Sequence, residues 1–166
     1  MAARNKATPV ALGGVMAALA TVIMALGTMI PAATYVCPML CMLILAVVYR
    51  TCGSSIAWAW YGAVAILSLL MAPDKEAATM FLFLGYYPIV KPKLDKVFLG
   101  LLWKLLLFNG AVLLMYFVLL NVFGMAQLME EFREMGIVLT LVTLLMGNVT
   151  FMILDKLLQM RFRIRK

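Results

Sequence analysis

Histidine is absent from the 166 residues, and charged side chains make up only 13% of them. The first absence removes the commonest metal ligand and the usual acid–base group near neutral pH. The second sets the chain apart from soluble domains, which carry about 25% charged residues and roughly 45–50% apolar ones. Here the apolar share is 66%. Only three cysteines are present, Cys37, Cys41 and Cys52, all in apolar surroundings. They are too few for a zinc site, and Cys37 and Cys41 fall one helical turn apart, where a disulfide constrains little. They read as small buried apolar residues. The fifteen methionines are dispersed rather than clustered in metal-binding pairs, so they read as pliable packing. No nucleophile–base pair, phosphate-binding glycine loop or metal-ligand cluster occurs, which predicts a chain that is not an enzyme and holds no cofactor or metal.

A net charge of +7 raises the question of nucleic acid. The basic residues, however, sit at segment ends and in the closing run Arg161, Arg163, Arg165, Lys166, with no interleaved aromatic patch. That pattern fits lipid headgroups and membrane orientation, not nucleic-acid binding.

What the chain does have is apolar length. Six segments, at about 8–30, 35–50, 54–72, 76–90, 97–123 and 135–160, are expected as transmembrane helices of one all-α domain spanning residues 1–166. Pro31 and Pro73 are expected to end the first and third, Ser54 to cap the third, and Pro38 to sit in the first turn of the second. The second and fourth are short for a perpendicular span of about 20 residues, and short complete spans beside longer tilted ones are the economical reading. From the Pro31 region onward the loops run neutral, basic, acidic, basic, acidic, and cytoplasmic loops retain Lys and Arg. With the N-terminus inside, Arg4, Lys6, Arg50, Lys91, Lys93, Lys96, Lys156 and the four C-terminal basic residues fall on one side, with Asp95 and Asp155. Asp74, Lys75, Glu76, Glu130, Glu131, Arg133 and Glu134 fall on the other. Trp58, Trp60, Trp103, Tyr49, Tyr86 and Tyr87 then lie toward the inner interface. A plasma-membrane protein with six spans and both termini cytoplasmic is the expectation. The stretch after Arg4 and Lys6 is too long for a signal-peptide core and reads as a retained anchor.

Three constellations invite function. In the first segment Ala7, Ala11, Gly14, Ala18, Thr21, Ala25 and Thr28 draw one stripe of small residues, with Gly13, Ala17, Ala20 and Gly27 beside it. Small side chains permit the close backbone approach on which helix association in lipid depends. The stripe serves either the centre of its own bundle or a docking face for another membrane subunit, and it is long enough for both. Lys104 and Asp155 lie about two turns inside the fifth and sixth segments, entering from the same side. Charge at that depth is paired or snorkels, and a Lys104–Asp155 ion pair is geometrically reasonable. Asn109 and Asn148 sit near mid-depth, with Tyr116, Asn121, Thr140 and Thr143 further out on the same segments. They either bridge helices or line a small outward cavity roofed by the loops near Thr34–Tyr35, Asp74–Glu76 and Gln127–Glu134. Tyr35, Glu76, Tyr116, Asn121, Thr140, Thr143 and Asn148 are the candidate solute contacts. The run Gly85-Tyr86-Tyr87-Pro88-Ile89-Val90-Lys91-Pro92-Lys93 reads as a helix end and a stiff basic turn facing lipid phosphates or an acidic partner.

Size, six spans, inner termini and the small-xxx-small pairs Ala7/Ala11, Gly13/Ala17 and Gly14/Ala18 resemble the substrate-binding S components of energy-coupling factor (ECF) vitamin transporters. That resemblance implies capture of a vitamin or other micronutrient near the outer face. It also implies docking of the first helix on a transmembrane coupling subunit, with ATPase subunits supplying the energy. The alternative is a non-transporting scaffold of similar fold, such as the cell-shape protein MreD, which holds partner proteins; on either reading a bacterial or archaeal plasma membrane is the expected location of this chain.

Overall fold

The computed structural model describes residues 7–27, 33–96, 100–124 and 126–163. They form seven helices: α1 (Ala7–Leu26), α2 (Ala33–Cys52), α3 (Ser54–Met71), α4 (Lys75–Leu84), α5 (Tyr87–Leu94), α6 (Gly100–Asn121) and α7 (Ala126–Arg163). No strand occurs among the described residues. Among the described residues four helices, α1, α2, α3 and α6, are long and apolar enough to cross a membrane. The protein is all-α, with helices of the length and apolarity that span a membrane. The expected stop at Pro31, Thr28 in the small stripe, the start of the fifth segment at 97–99, and Arg4, Lys6, Arg165 and Lys166 lie outside the described residues.

The chain forms two compact units, one ending at Lys93 and one beginning at Leu94. In the first, α1, α2 and α3 pack on one another, and α4 packs on α2 and α3. Its interior alternates small and large residues: Ala20, Ala46, Ala57, Ala65 and Ala78 beside Met24, Leu45, Val64, Phe81 and Tyr87. Alanine at the crossings lets backbones approach where lipid offers little hydrophobic drive. The α2–α3 connection is a single residue. Gly53 takes φ +90°, which an L side chain rarely adopts, and receives the cap position expected of Ser54. Ser54 instead opens the helix. α3 stops at Ala72, held extended by the following Pro73.

The joint between α3 and α4 is sealed by adjacent opposite charges. Asp74 caps α4, accepting from the backbone N–H of Glu76 at 2.9 Å and of Ala77 at 3.1 Å. Lys75 Nζ reaches back to donate to the Leu69 and Ala72 carbonyls at the end of α3, at 2.8 and 3.0 Å. Each charge also opposes the end of a helix dipole. Asp74→Ala should therefore lower stability by about 1–2 kcal/mol, the scale of a lost N-cap. Thermal unfolding in detergent measures it, and Asp74→Asn should recover most of the loss.

The fourth expected segment is not continuous. It breaks at Gly85–Tyr86 into α4 and α5. Pro88 has no N–H to return to the carbonyl four residues earlier, and its ring crowds that turn. The Tyr61 hydroxyl donates to the carbonyl of Leu82, four residues ahead of Tyr86, so the break is stabilised by a side chain from α3. Gly85 suits the break, because a Cβ there would run into the Phe81 carbonyl oxygen and ring. The basic run beyond is helical rather than a stiff turn, and Lys91 is buried while Lys93 is exposed. Of the aromatic set expected at the interface, Trp58 and Tyr86 gather in one cluster with Tyr61, which was not in that set, while Tyr87 is fully buried.

The second unit is the α6–α7 hairpin, turning through Gly124 at φ +57°. Along α6 the residues Lys104, Phe108, Ala111, Met115 and Leu119 form the buried stripe at alternating helical spacing. They meet α7, whose buried residues include Phe151, Leu154 and Leu158. The Phe108 and Phe151 rings stack with centroids 4.7 Å apart. α7 has 38 residues, about 57 Å at 1.5 Å per residue, against a hydrocarbon core of about 30 Å. Its uncharged part, residues 135–154, is about the length of one span. The acidic start and basic end therefore extend beyond hydrocarbon.

Candidate functional site

α1 separates two faces that the sequence leaves merged. Gly13, Ala20 and Met24 are buried, and a Cβ on Gly13 would touch the Ile56 side chain of α3 at 3.4 Å. Ala17 is half-buried on the same side. Ala11, Gly14 and Ala18 are exposed, and nothing approaches within 4 Å of where a Gly14 Cβ would stand. The bundle uses one row of small residues and leaves the other open. Ala7 begins the helix, and its side chain lies outside the described set.

At the start of α2 and α4, two loops far apart in sequence meet. Thr34 Oγ1 donates to Asp74 Oδ2 at 2.8 Å, and Tyr35 Oη donates to Glu76 Oε1 at 3.5 Å. Tyr35 and Glu76 are thus brought together, with Tyr35 exposed. One turn along α3 from Ala72 lies Ser68, whose hydroxyl is fully buried with no hydrogen-bond partner among the described residues. Nothing in the sequence singles out Ser68, because a lone serine in an apolar helix carries no pattern. Trp60 Nε1 is likewise buried without a partner among them.

The remaining candidates belong to the second unit. Asn109 and Asn148 exchange amide hydrogen bonds, at 3.2 Å from Asn109 Nδ2 and 3.1 Å from Asn148 Nδ2. Each Nδ2 also donates to its own helix, at Leu105 and Leu144. All four amide N–H donors are therefore used, and Asn148 is committed to the hairpin. Asn121 is exposed and bonds the Phe117 carbonyl of its own helix at 2.9 Å, while Tyr116 is half-buried on α6. The side chains of Thr140 and Thr143 lie outside the described residues.

Lys104 meets Asp155 at 3.2 Å and also pairs with Asp95. Two carboxylates around one ammonium satisfy a base that is otherwise buried beside the hairpin core. By sequence alone Asp95 belongs with the basic loop between the fourth and fifth segments. The available signal was a buried lysine with room for a second acceptor from the chain nine residues before it. The three cysteines are free, with the Cys41 thiol against the Ala20 carbonyl and the Cys52 thiol against that of Pro9. No group of three or more potential metal ligands gathers among the described residues. Comparison with family models, curated proteins and solved structures returns no match.

Proposed function

We propose that the chain is a membrane-embedded substrate-binding subunit of the ECF type, docking on a coupling subunit through α1 and, through it, on ATPase subunits. The carrying observation is the open row Ala11, Gly14 and Ala18 on a helix whose Gly13 and Ala20 are already packed. In this reading a small solute is captured at the end where Tyr35, Glu76 and the buried Ser68 hydroxyl lie. The chain sits in a bacterial or archaeal plasma membrane with both termini cytoplasmic, as the loop charges favour. The scaffold reading keeps one specific support: the asparagine pair is closed on itself rather than open to a solute.

Gly14→Leu and Ala18→Leu test the docking. They enter open space, so the isolated protein should keep its melting temperature within about 1 °C, since exposed substitutions stay within ±0.5 kcal/mol. Co-purification of a coexpressed coupling subunit should fall severalfold, because the partner helix loses contacts along the whole face. Unfolding of the isolated variants would return the row to the internal core. A thermal-shift screen of vitamins separates the two readings. A ligand should raise stability by about 2.7 kcal/mol at a hundredfold excess over Kd, and Glu76→Gln should weaken that shift. Retained docking partners with no stabilising solute would favour the scaffold.

A further inference from the structure

The contact between α1 and α2 has a fixed antiparallel register. The Cys41 thiol donates to the Ala20 carbonyl at 3.5 Å, and the Cys52 thiol to the Pro9 carbonyl at 3.3 Å. Eleven residues separate these two contacts on each helix, so one helix climbs at the pace at which the other descends. One turn beyond Ala20 is Met24, and one turn before Cys41 is Cys37, which that register sets at the same level. Met24 and Cys41 are fully buried and Cys37 is 8% exposed, so all three lie on the packed faces of their helices. No three His, Cys, Asp or Glu side chains gather among the described residues. The Met24 thioether, however, adds a third sulfur to this pair of thiols. Along the sequence the methionines are dispersed, and only the pairing of two helices brings one of them to the cysteines.

We propose that Met24, Cys37 and Cys41 form a site for a soft monovalent metal ion, Cu(I). Thiolate and thioether sulfur select soft ions, and Cu(I) accepts a set of only two or three such ligands. Zn(II) takes four, and the chain has no histidine to complete its set. Hard cations such as Mg(II) and Ca(II) take oxygen. Charge favours a single positive ion as well. Cu(I) takes the place of the Cys37 proton, which leaves to solvent, and thiolate and ion together are neutral. A neutral complex suits a buried setting, where net charge is costly. Cys41 and Met24 coordinate through sulfur lone pairs, and the Cys41 proton stays on the Ala20 carbonyl. Entry is from the end of α2 where Thr34 holds Asp74, since Cys37 is the most exposed of the three and lies one turn from Thr34. The site uses the packed side of α1, not the open row Ala11, Gly14 and Ala18, and stands without any docking there.

The test uses the full chain in detergent, reduced and under nitrogen, titrated with Cu(I) against the chelator bicinchoninate. One ion per chain should be held against the chelator, and X-ray absorption should show sulfur neighbours alone. Cys37→Ala and Cys41→Ala should each weaken binding about a hundredfold, and Met24→Leu about tenfold. Cys52→Ala should bind as the parent does, because Cys52 closes the far end of α2. Affinity should rise about tenfold per pH unit, as one proton is released for each ion bound. Met24→Leu conserves volume, so the test stays decisive if a cysteine variant fails to fold. No binding by the folded parent overturns the proposal. Equal binding by the folded Met24→Leu and cysteine variants does so too, since the ion would then sit on other methionines. Nitrogen or oxygen neighbours, or Zn(II) retained in preference to Cu(I), overturn it as well.

Discussion

Lys104→Met should destabilise the α6–α7 hairpin by about 3–5 kcal/mol, more than any other single substitution considered for this protein. Lys104 is 7% exposed and is the shared partner of Asp95 and Asp155. Methionine preserves its length and fills its volume, so the loss is not a cavity. What remains is two carboxylates facing each other without the ammonium between them. Like charges at that separation cannot both stay ionised without cost, and Asp155 is the less able to turn to water, its side chain 16% exposed against 36% for Asp95. Thermal unfolding in detergent at neutral pH measures the loss. Adding Asp95→Asn and Asp155→Asn to Lys104→Met should recover most of it, because a neutral triad leaves no stranded charge. A Lys104→Met protein as stable as the parent would mean that Lys104 is solvated at the headgroups and that the pairing is incidental.

That triad marks how far the sequence could be read. Depth along two neighbouring segments was enough to place Lys104 opposite Asp155, since helical rise converts residue count into height. It could not bring in Asp95, which belongs to the connection into α6, and the path of a connection is not periodic. The small residues of α1 show the same limit differently. Their spacing reveals two adjacent rows, yet both rows are equally fit to bury, and only the position of Ile56 on α3 decides that Gly13 packs and Gly14 stays open. The break in the fourth segment was signalled by Gly85 and Pro88. What makes it tolerable is the Tyr61 hydroxyl on a different helix, a tertiary fact that no local pattern carries. The long apolar runs, by contrast, were legible because membrane spans are set by composition over about twenty residues.

Asn148→Leu should cost about 1–2 kcal/mol even in the absence of any solute. This is where the geometry separates glue from ligand contact. In the parent, Asn109 and Asn148 form a closed pair, each donating to the other's carbonyl oxygen and to a backbone carbonyl of its own helix. Leucine removes one amide and leaves Asn109 with an N–H and an oxygen unmatched between two apolar helices, and a stranded polar group costs more than the bond itself was worth. Bilayer or micelle tempers the number, since hydrogen bonds between membrane helices contribute about 0.6 kcal/mol on average and up to about 1.7. Asn109→Leu should cost a similar amount. The double variant should cost clearly less than the sum of the two, because both orphaned groups vanish together and two leucines can pack. Thermal unfolding of the four proteins gives the coupling directly. The same four proteins carry the functional question. If a stabilising solute is found, its thermal shift should survive in the double variant, placing capture at Tyr35 and Glu76 and not at the hairpin. Additive losses with the solute shift abolished would instead make Asn148 a ligand contact, and the closed pair a resting arrangement that the solute opens.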